Sequence, residues 1–328
     1  MQQRARIIYN PKAGHEGLKQ SLVDILAIFE QAGYETSAYA TTPEPLSAQN
    51  EATRAAQAGF NLVVAAGGDG TINQVVNGLA GLKHRPKMAI IPAGTTNDYA
   101  RALKIPREDP VEAAKIVLKR KTIKMDIGRA DKEYFMNIAG GGFLTELTYG
   151  VPSETKSIFG YLAYLLEGAK MLPQIKPVPM HLVYDDGEFR GDASMFLLGL
   201  TNSIGGFEKV APDITLGDGR FSLIIVKTAN LAELVRLIAL AINGKHLNDP
   251  RVIYVKTHKL VAKTTNGAEM KINLDGEFGG TAPMTFTNLK QHLEIFADVD
   301  AMPQTALAAE DAAGLPETPV KPKTEAEH

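Results

Sequence analysis

The sequence predicts an α/β domain followed by an all-β domain: a doubly wound, mostly parallel sheet, then a β-sandwich. Three observations carry that expectation. Early in the chain, short apolar strands alternate with helical repeats. Near Lys124 the pattern changes to strands separated by turn dipeptides. At 328 residues the chain is long enough to build two cores.

In order, Arg6–Tyr9 reads as a strand and Asn10-Pro11 with Gly14 as a loop. Leu18, Leu22, Ile25, Leu26 and Phe29 then repeat at helical spacing, and Gly33 ends that helix. Strand Tyr34–Ala40, a helix ending near Gly59 and strand Leu62–Ala66 follow. Ile72, Val75, Val76 and Leu79 mark the next helix, and Met88–Ile91 a buried strand closed by Pro92. Asp109-Pro110 is a helix start, with Asp as cap and Pro at the first helical position.

After Lys124 the expected strands are Tyr134–Ala139, Pro179–Tyr184, Ser194–Leu200, Phe221–Val226, Arg251–Lys256, Lys259–Thr264, Met270–Leu274 and Leu293–Ala297. Turns are signalled at Asp185-Asp186-Gly187, Asp218-Gly219, Asn266-Gly267 and Asp275-Gly276. Ser157–Leu172 and Leu231–Asn243 read as helical insertions. From about Met302 the chain is rich in Ala, Pro, Glu and Thr without apolar periodicity, which predicts a disordered tail.

Composition narrows the chemistry. Hydrophobic residues make up 45% and charged residues 22%, as in ordinary globular proteins. A net charge of −2 supplies no general basic field, so no nucleic-acid partner is expected. Cys is absent, which excludes disulfides, thiolate metal sites and cysteine nucleophiles, and suits a cytoplasmic protein. The apolar run Leu231–Ile242 contains Glu233 and Arg236 and is too short to span a bilayer. A soluble or surface-bound protein is expected.

Four segments each follow an expected strand of the first domain, where open α/β sheets bind ligands. They are Asn10–Gly14 (NPKAG), Thr41-Thr42, Gly67–Thr71 (GGDGT) and Pro92–Asp98 (PAGTTND). Each alone reads equally as a turn or a helix cap; together they favour nucleotide contacts. No G-x-x-x-x-G-K-[ST] occurs, and no G-x-G-x-x-G follows the first strand. Carboxylates accompany these loops: Asp69 within GGDGT, Asp98 closing PAGTTND, Asp218 in TLGDGRF, and Asp275 and Glu277 in NLDGEFGG. Asp-Gly is the commonest hairpin turn, and a hairpin tip also presents a carboxylate rigidly. Gly140-Gly141-Gly142 signals close backbone approach, a bulge or a flexible loop.

GGDGT, PAGTTND and LDGEFGG, in this order, resemble the diacylglycerol kinase and sphingosine kinase superfamily over nearly the whole chain. The soluble bacterial diacylglycerol kinases are most similar. FMNIAGGGFLTELTYGVPSETKSIFGYLAYLLEGAKMLP resembles their linking segment, and GGFEKVAPDITLGDGRFSLIIV their metal-binding hairpin. The resemblance implies an ATP-binding α/β domain at residues 1–127, completed by about 299–312. It implies a β-sandwich for lipid and metal at 128–298, a tail at 313–328, and an active site in the cleft between the domains.

It further implies transfer of the γ-phosphate of ATP to the hydroxyl of diacylglycerol, giving phosphatidic acid for phospholipid recycling. ATP would lie along Asn10, Pro11, Lys12, Ala13, Gly14, Thr41, Gly67, Gly68, Asp69, Gly70, Thr71, Ile72, Asn73 and Thr95. Asp275 and Glu277 match the catalytic pair, with Glu277 preferred as the base. A carboxylate is a weak base for an alcohol, but a loose phosphoryl-transfer transition state depends mainly on positioning and charge neutralisation. The Asp218 carboxylate and the carbonyls of Thr215 and Arg220 would hold Mg²⁺, with Asp69 and Asp98 joining through water.

The chain departs from the family pattern at His15, where a basic residue is expected, and at Glu167 and Lys170, whose charges stand exchanged. The acceptor implies a cytoplasmic protein that associates peripherally with the membrane surface, as a homodimer. Ile158, Phe159, Tyr161, Leu162, Leu165 and Leu166 form one broad apolar face, and Leu231–Ile242 another. Both are open to core or dimer packing and to membrane docking. Two alternatives share these motifs: a kinase for another lipid alcohol or a soluble metabolite, and a nucleotide-binding regulator without catalysis.

Overall fold

The computed structural model describes residues 2–142, 177–202, 214–241 and 243–308. The expected helix Ser157–Leu172, the departures at Glu167 and Lys170, the side chain of His15 and the tail 313–328 lie outside the described residues.

Four parallel strands open the chain: β1 (Gln3–Tyr9), β2 (Tyr34–Ala40), β3 (Leu62–Gly67) and β4 (Lys87–Pro92), in spatial order β4-β3-β1-β2. The apolar run of β3 is buried along its whole length, as expected of a parallel strand covered on both faces. Helices α1 (Gly17–Gln20) and α2 (Leu22–Gln31) join β1 to β2, and α3 (Ser47–Gln57) joins β2 to β3. Helix α4 (Asp69–Ala80) joins β3 to β4, and the short α5 (Asp98–Ala102) and α6 (Pro110–Ala114) follow β4. Asp109 caps α6, its carboxylate accepting the N–H of Val111 at 2.7 Å. Ile25, Phe29, Ile72, Val75, Val76 and Leu79 meet the sheet in the first core.

The next strands are β5 (Thr122–Ala130), β6 (Glu133–Phe135), β7 (Ile138–Gly142), β8 (Val178–Tyr184), β9 (Gly187–Gly199) and β10 (Phe221–Lys227). Helix α7 (Leu231–Ala241) follows, then β11 (Val252–Thr257), β12 (Lys259–Thr264), β13 (Lys271–Leu274), β14 (Glu277–Thr281) and β15 (Met284–Phe296). Strand β9 pairs β8 through residues 187–193, and β7 and β10 through its second half. It thereby joins two layers, and Met180, Leu182, Leu260 and Phe286 meet Phe196, Leu198, Phe221 and Ile272 between them. Phe135 stacks on Phe221 at 5.7 Å and meets Phe286 edge-on at 6.3 Å.

The two layers and the parallel sheet form one continuous sheet rather than separate bodies. Strands β5 and β15 pair antiparallel along their lengths, with a register shift between Leu289 and Leu293. Before the shift β15 borders β12; beyond it, Ile295 lies beside Met88 of β4. Gln291, at φ 49°, sits in the irregularity. Leu293, Ile295, Phe296 and Met302 belong to the first core.

Several expected elements differ in detail. The single expected strand Tyr134–Ala139 is two strands, because the N–H groups of Met136, Asn137 and Ile138 leave the ladder for the carboxylate of Asp275. Strand β5 carries a buried Asp126, and β14 carries two glycines; both compositions argue against strand. Gly140-Gly141-Gly142 is buried strand: a Cβ on Gly141 would lie 2.5 Å from the ring of Phe196. Helix α7 opens with a capping box between Asn230 and Glu233, and packs Leu234 and Leu237 on Met195, Ile224 and Val226. Among the described residues no helix is long and apolar enough to cross a membrane.

Candidate active site

The chain leaves β1 for β2 on one side and returns as β3 on the other, so the strand order reverses at β1. The crevice beyond the carboxyl ends of such strands is where open α/β sheets take their ligands. Three loops converge there. Asn10 donates its N–H to the carbonyl of Ala66, and its Oδ1 accepts the N–H of Lys12 at 3.0 Å. Gly14, at φ 58°, brings Asn10–Gly14 against Ala93. Gly67–Thr71 passes under Pro92–Asp98 so closely that a Cβ on Gly94 would lie 2.7 Å from the Cα of Gly68. Asn97, at φ 50°, ties off the third loop by two 2.8 Å bonds to the backbone of Gly94.

Helix α4 starts at Gly68, and no side chain caps it. Its first N–H groups and its dipole point into the crevice, an arrangement that attracts phosphate. Asp69, Gly70, Thr71, Ile72 and Asn73 form its first turns. Thr41 continues from β2, bonded through its N–H to Tyr9, and Thr95 is exposed on the loop opposite.

Asp69 does not face this crevice as a free charge. Its Oδ2 accepts the N–H of Asn97 at 3.0 Å, so it pins the loop that carries Asp98. Burial raises the Asp69 carboxyl to about 6, with further upward pushes from the charges of Asp98 and Asp275. Asp98 is itself buried at the start of α5.

On the opposite wall, Asp275-Gly276 is the two-residue turn of the β13–β14 hairpin, with φ 50° and 95°. The Asp275 carboxylate accepts four hydrogen bonds: from Asn73 Nδ2 (2.9 Å) and from the N–H groups of Met136 (2.8 Å), Asn137 (2.9 Å) and Ile138 (2.8 Å). Burial raises its pKa, and these donors act against the shift. Glu277, two residues on, begins β14 and is exposed.

Thr215, Asp218 and Arg220 lie just before β10. Leu216 pairs with Leu307, so Asp218-Gly219 is a bend rather than the tip of a hairpin between described strands. Asp218 Oδ1 accepts the N–H of Arg220 at 2.8 Å. Next to it lies Asp126, which the sequence reading passed over. Its carboxylate accepts the N–H of Gly219 and of Gln291, each at 2.7 Å, and so fastens the bend to β15. Burial raises Asp126, and the charge of Asp218 adds to the shift.

The structure thus gathers Asp69, Asp98 and Asp275 in one group and Asp126 and Asp218 in another. Tyr99, fully buried, lies within the fields of both Asp275 and Asp126. Its hydroxyl and the Oδ1 of Asn288, beside Asp126, are buried without a hydrogen-bond partner. Orphaned polar atoms among carboxylates mark places for ordered water. Among the described residues no three Asp, Glu or His side chains could hold a metal by themselves. An all-oxygen donor set completed by water fits Mg²⁺, which keeps several waters when bound.

Comparison with known proteins places this architecture. Residues 4–130 match the diacylglycerol kinase catalytic domain, and residues 151–297 match a C-terminal NAD kinase beta sandwich-like domain. A diacylglycerol kinase of Bacillus subtilis (strain 168) is 52% identical over 89% of this chain and 95% of its own length. The chain belongs to the diacylglycerol kinase family. A diacylglycerol kinase of Staphylococcus epidermidis is 49% identical over 94% of this chain and 96% of that one. A crystal structure from Bacillus anthracis strain Sterne, described as a candidate diacylglycerol kinase, superposes with a TM-score of 0.79. It is 26% identical and covers 92% of this chain and 97% of that chain. The catalytic-domain match takes in all three converging loops and ends with β5; the sandwich match takes in Asp218, Asp275 and Glu277. The two walls of the crevice therefore fall in different matches, the converging loops in the first and the Asp275 turn in the second.

Asp126, Asn77, Tyr99 and Asn288 were missed in the sequence. None of the four carries a local signal; Asp126 falls on the polar side of the alternation Ile123, Met125, Ile127, where a solvent-facing residue is expected.

Proposed function

We propose that this member of the diacylglycerol kinase family transfers the γ-phosphate of ATP to the free hydroxyl of diacylglycerol, giving phosphatidic acid. The 2.9 Å bond from Asn73 to Asp275 carries the reading. It joins the helix whose N-terminus faces the phosphate crevice to the turn that presents Glu277. In this reading residues 1–127, completed by about 299–312, bind ATP, and 128–298 take lipid and metal.

The triphosphate follows Asn10–Gly14, Thr41, Gly67–Asn73 and Thr95, held by backbone N–H groups and the end of α4. Glu277 is the better base. The Asp275 carboxylate already accepts four donors, and a proton taken there would break bonds that hold the turn. Glu277 takes the proton of the acceptor hydroxyl as its oxygen forms a bond to the γ-phosphorus. The bond from that phosphorus to the bridging oxygen breaks, and ADP leaves with the electron pair. Asp218, the carbonyls of Thr215 and Arg220, and through water Asp69, Asp98 and Asp126 would hold Mg²⁺, which supplies charge neutralisation.

A lipid acceptor requires the enzyme to work from the cytoplasm at a membrane surface, and the homodimer implied by the family forms part of the same reading. Phosphorylation of mixed-micelle lipids with radiolabelled ATP tests the acceptor. Diacylglycerol should be labelled in preference to sphingoid bases, monoacylglycerol and soluble alcohols. Preferred labelling of another acceptor, or binding of ATP with no transfer, would overturn the assignment. Co-sedimentation with anionic vesicles and mass by light scattering test the membrane and the dimer; no pelleting or a monomer mass removes each in turn.

A further inference from the structure

Helix α4 does more than end at the phosphate crevice. Asn73 and Asn77 stand one turn apart on one face of it, towards the sandwich. Asn77 treats the edge strand β6 as a neighbouring strand would. Its Oδ1 accepts the N–H of Tyr134 and its Nδ2 donates to the carbonyl of Tyr134, both at 2.9 Å. The same amide donates to Asn73 Oδ1 at 3.1 Å and to the Asn73 carbonyl at 3.0 Å.

These partners fix both amide orientations. Tyr134 offers one donor and one acceptor, so Asn77 can point only one way. Asn73 must then turn its oxygen to Asn77 and its amide to Asp275, where it donates at 2.9 Å. Asp275 in turn gathers the three N–H groups after β6, and its own N–H donates to the carbonyl of Ile138 at 2.8 Å. The circuit closes from α4 through β6 and the turn before β14, back to α4. Glu277 leaves that turn two residues later.

We propose that Asn77 is a positioning residue: through Asn73 and Asp275 it fixes Glu277 relative to the phosphate crevice at the other end of α4. The proposal rests on the functional reading given above. An aspartate at position 77 has the same shape but would set an acceptor against the carbonyls of Tyr134 and Asn73. An alanine removes both contacts without repulsion.

The test uses the full chain with Asn77→Asp and Asn77→Ala, at a temperature where both are shown to be folded. Amide hydrogen exchange comes first. Exchange at Tyr134, Met136, Asn137 and Ile138 should rise at least tenfold in Asn77→Asp; unchanged exchange overturns the clamp. Steady-state kinetics with diacylglycerol micelles come second. The kcat should fall at least tenfold while KM for ATP stays within twofold. An unchanged kcat, or a loss confined to KM for ATP, overturns the positioning role. A third arm places Asn77→Ala in a Glu277→Gln background. The loss seen in the wild-type background should shrink to within twofold, whereas a fully additive loss would show that Asn77 does not act through Glu277. If the wild-type chain phosphorylates another acceptor, the choice of diacylglycerol fails alone, and the same three measurements on that acceptor still decide Asn77.

Discussion

Asp69, at the start of α4, and Asp275, in the turn before β14, face the same crevice from opposite walls, and the protein treats them differently. Asp275 receives three successive backbone N–H groups and an amide, so burial, which still raises its pKa, is opposed by donors on both oxygens. Asp69 receives the backbone N–H groups of Asn97 and Asp98, and it faces the charges of Asp98 and Asp275. A carboxylate saturated by donors is a structural anchor. One raised to about 6 by burial and like charge is poised to lose that penalty when positive charge arrives. In the proposed function, the catalytic wall is built from an anchor, and the phosphate wall from a charge left to be neutralised by ligand.

The sharpest way to break this comparison is to remove the group the anchor presents. Glu277→Gln should lower turnover about 10²–10⁴-fold, the usual range for a general base, with ATP affinity nearly unchanged. Isothermal titration with ATP beside the kinetics checks both parts; a parallel loss of affinity would move Glu277 to the nucleotide site. Next in size is the anchor itself. Asp275→Ala leaves three N–H groups at Met136, Asn137 and Ile138 without their acceptor, and should destabilise folding by about 3–5 kcal/mol. Urea unfolding measures this, and a change within about 0.5 kcal/mol would show that the carboxylate is not load sharing between the domains.

Asp69 tests the other wall. Its folded pKa, about 6, lies above the unfolded value near 4, so the native state binds protons more tightly. Stability from this group is therefore full below about pH 4 and is lost as pH rises through about 6. Asp69→Asn removes the titration. Without divalent cations, its stability relative to wild type should rise between pH 4 and pH 7, by at most about 3 kcal/mol. The bond to Asn97 alters the offset but not the slope. A pH-independent difference would mean that Asp69 is not raised. Smaller still is Gly94→Ala, whose Cβ would fall 2.7 Å from the Cα of Gly68. The loops must part, at about 1–3 kcal/mol, with weaker ATP binding; unchanged affinity would separate this contact from the site.

The two walls also differ in how far they could be read from the sequence. The loops of the first wall were legible because their signals are local: glycines and Asx residues directly after buried strands, at 67–71 and 92–98. The Asp275-Gly276 turn was legible for the same reason. What Asp275 does there was not, since Met136 and Asn73 are 139 and 202 residues away in the chain. Asn77 pairs with Tyr134 across 57 residues, and Asp126 with Gly219 across 93. Such residues look like ordinary helix or strand members until the two domains meet. The break between β6 and β7 has the same origin: a carboxylate far along the chain outbids the ladder for three N–H groups. Strand periodicity alone would continue straight through it.

The smallest effect concerns a third carboxylate that makes the same kind of bond outside the cleft. Asp109 accepts the N–H of Val111 at 2.7 Å and of Glu112 at 3.4 Å, as Asp275 accepts those of Met136 to Ile138. Asp109, however, is exposed at the start of α6. Water can replace it, so the N–H groups are not left without partners when it is removed. Asp109→Ala should cost about 1 kcal/mol, the ordinary value of a helix cap, with kcat and KM for ATP within twofold of wild type. Urea unfolding and steady-state kinetics check both numbers. If Asp109→Ala destabilised the fold as much as Asp275→Ala, burial would not be what distinguishes the anchor. If it also impaired turnover, the reach of the catalytic wall would extend beyond the cleft to α6.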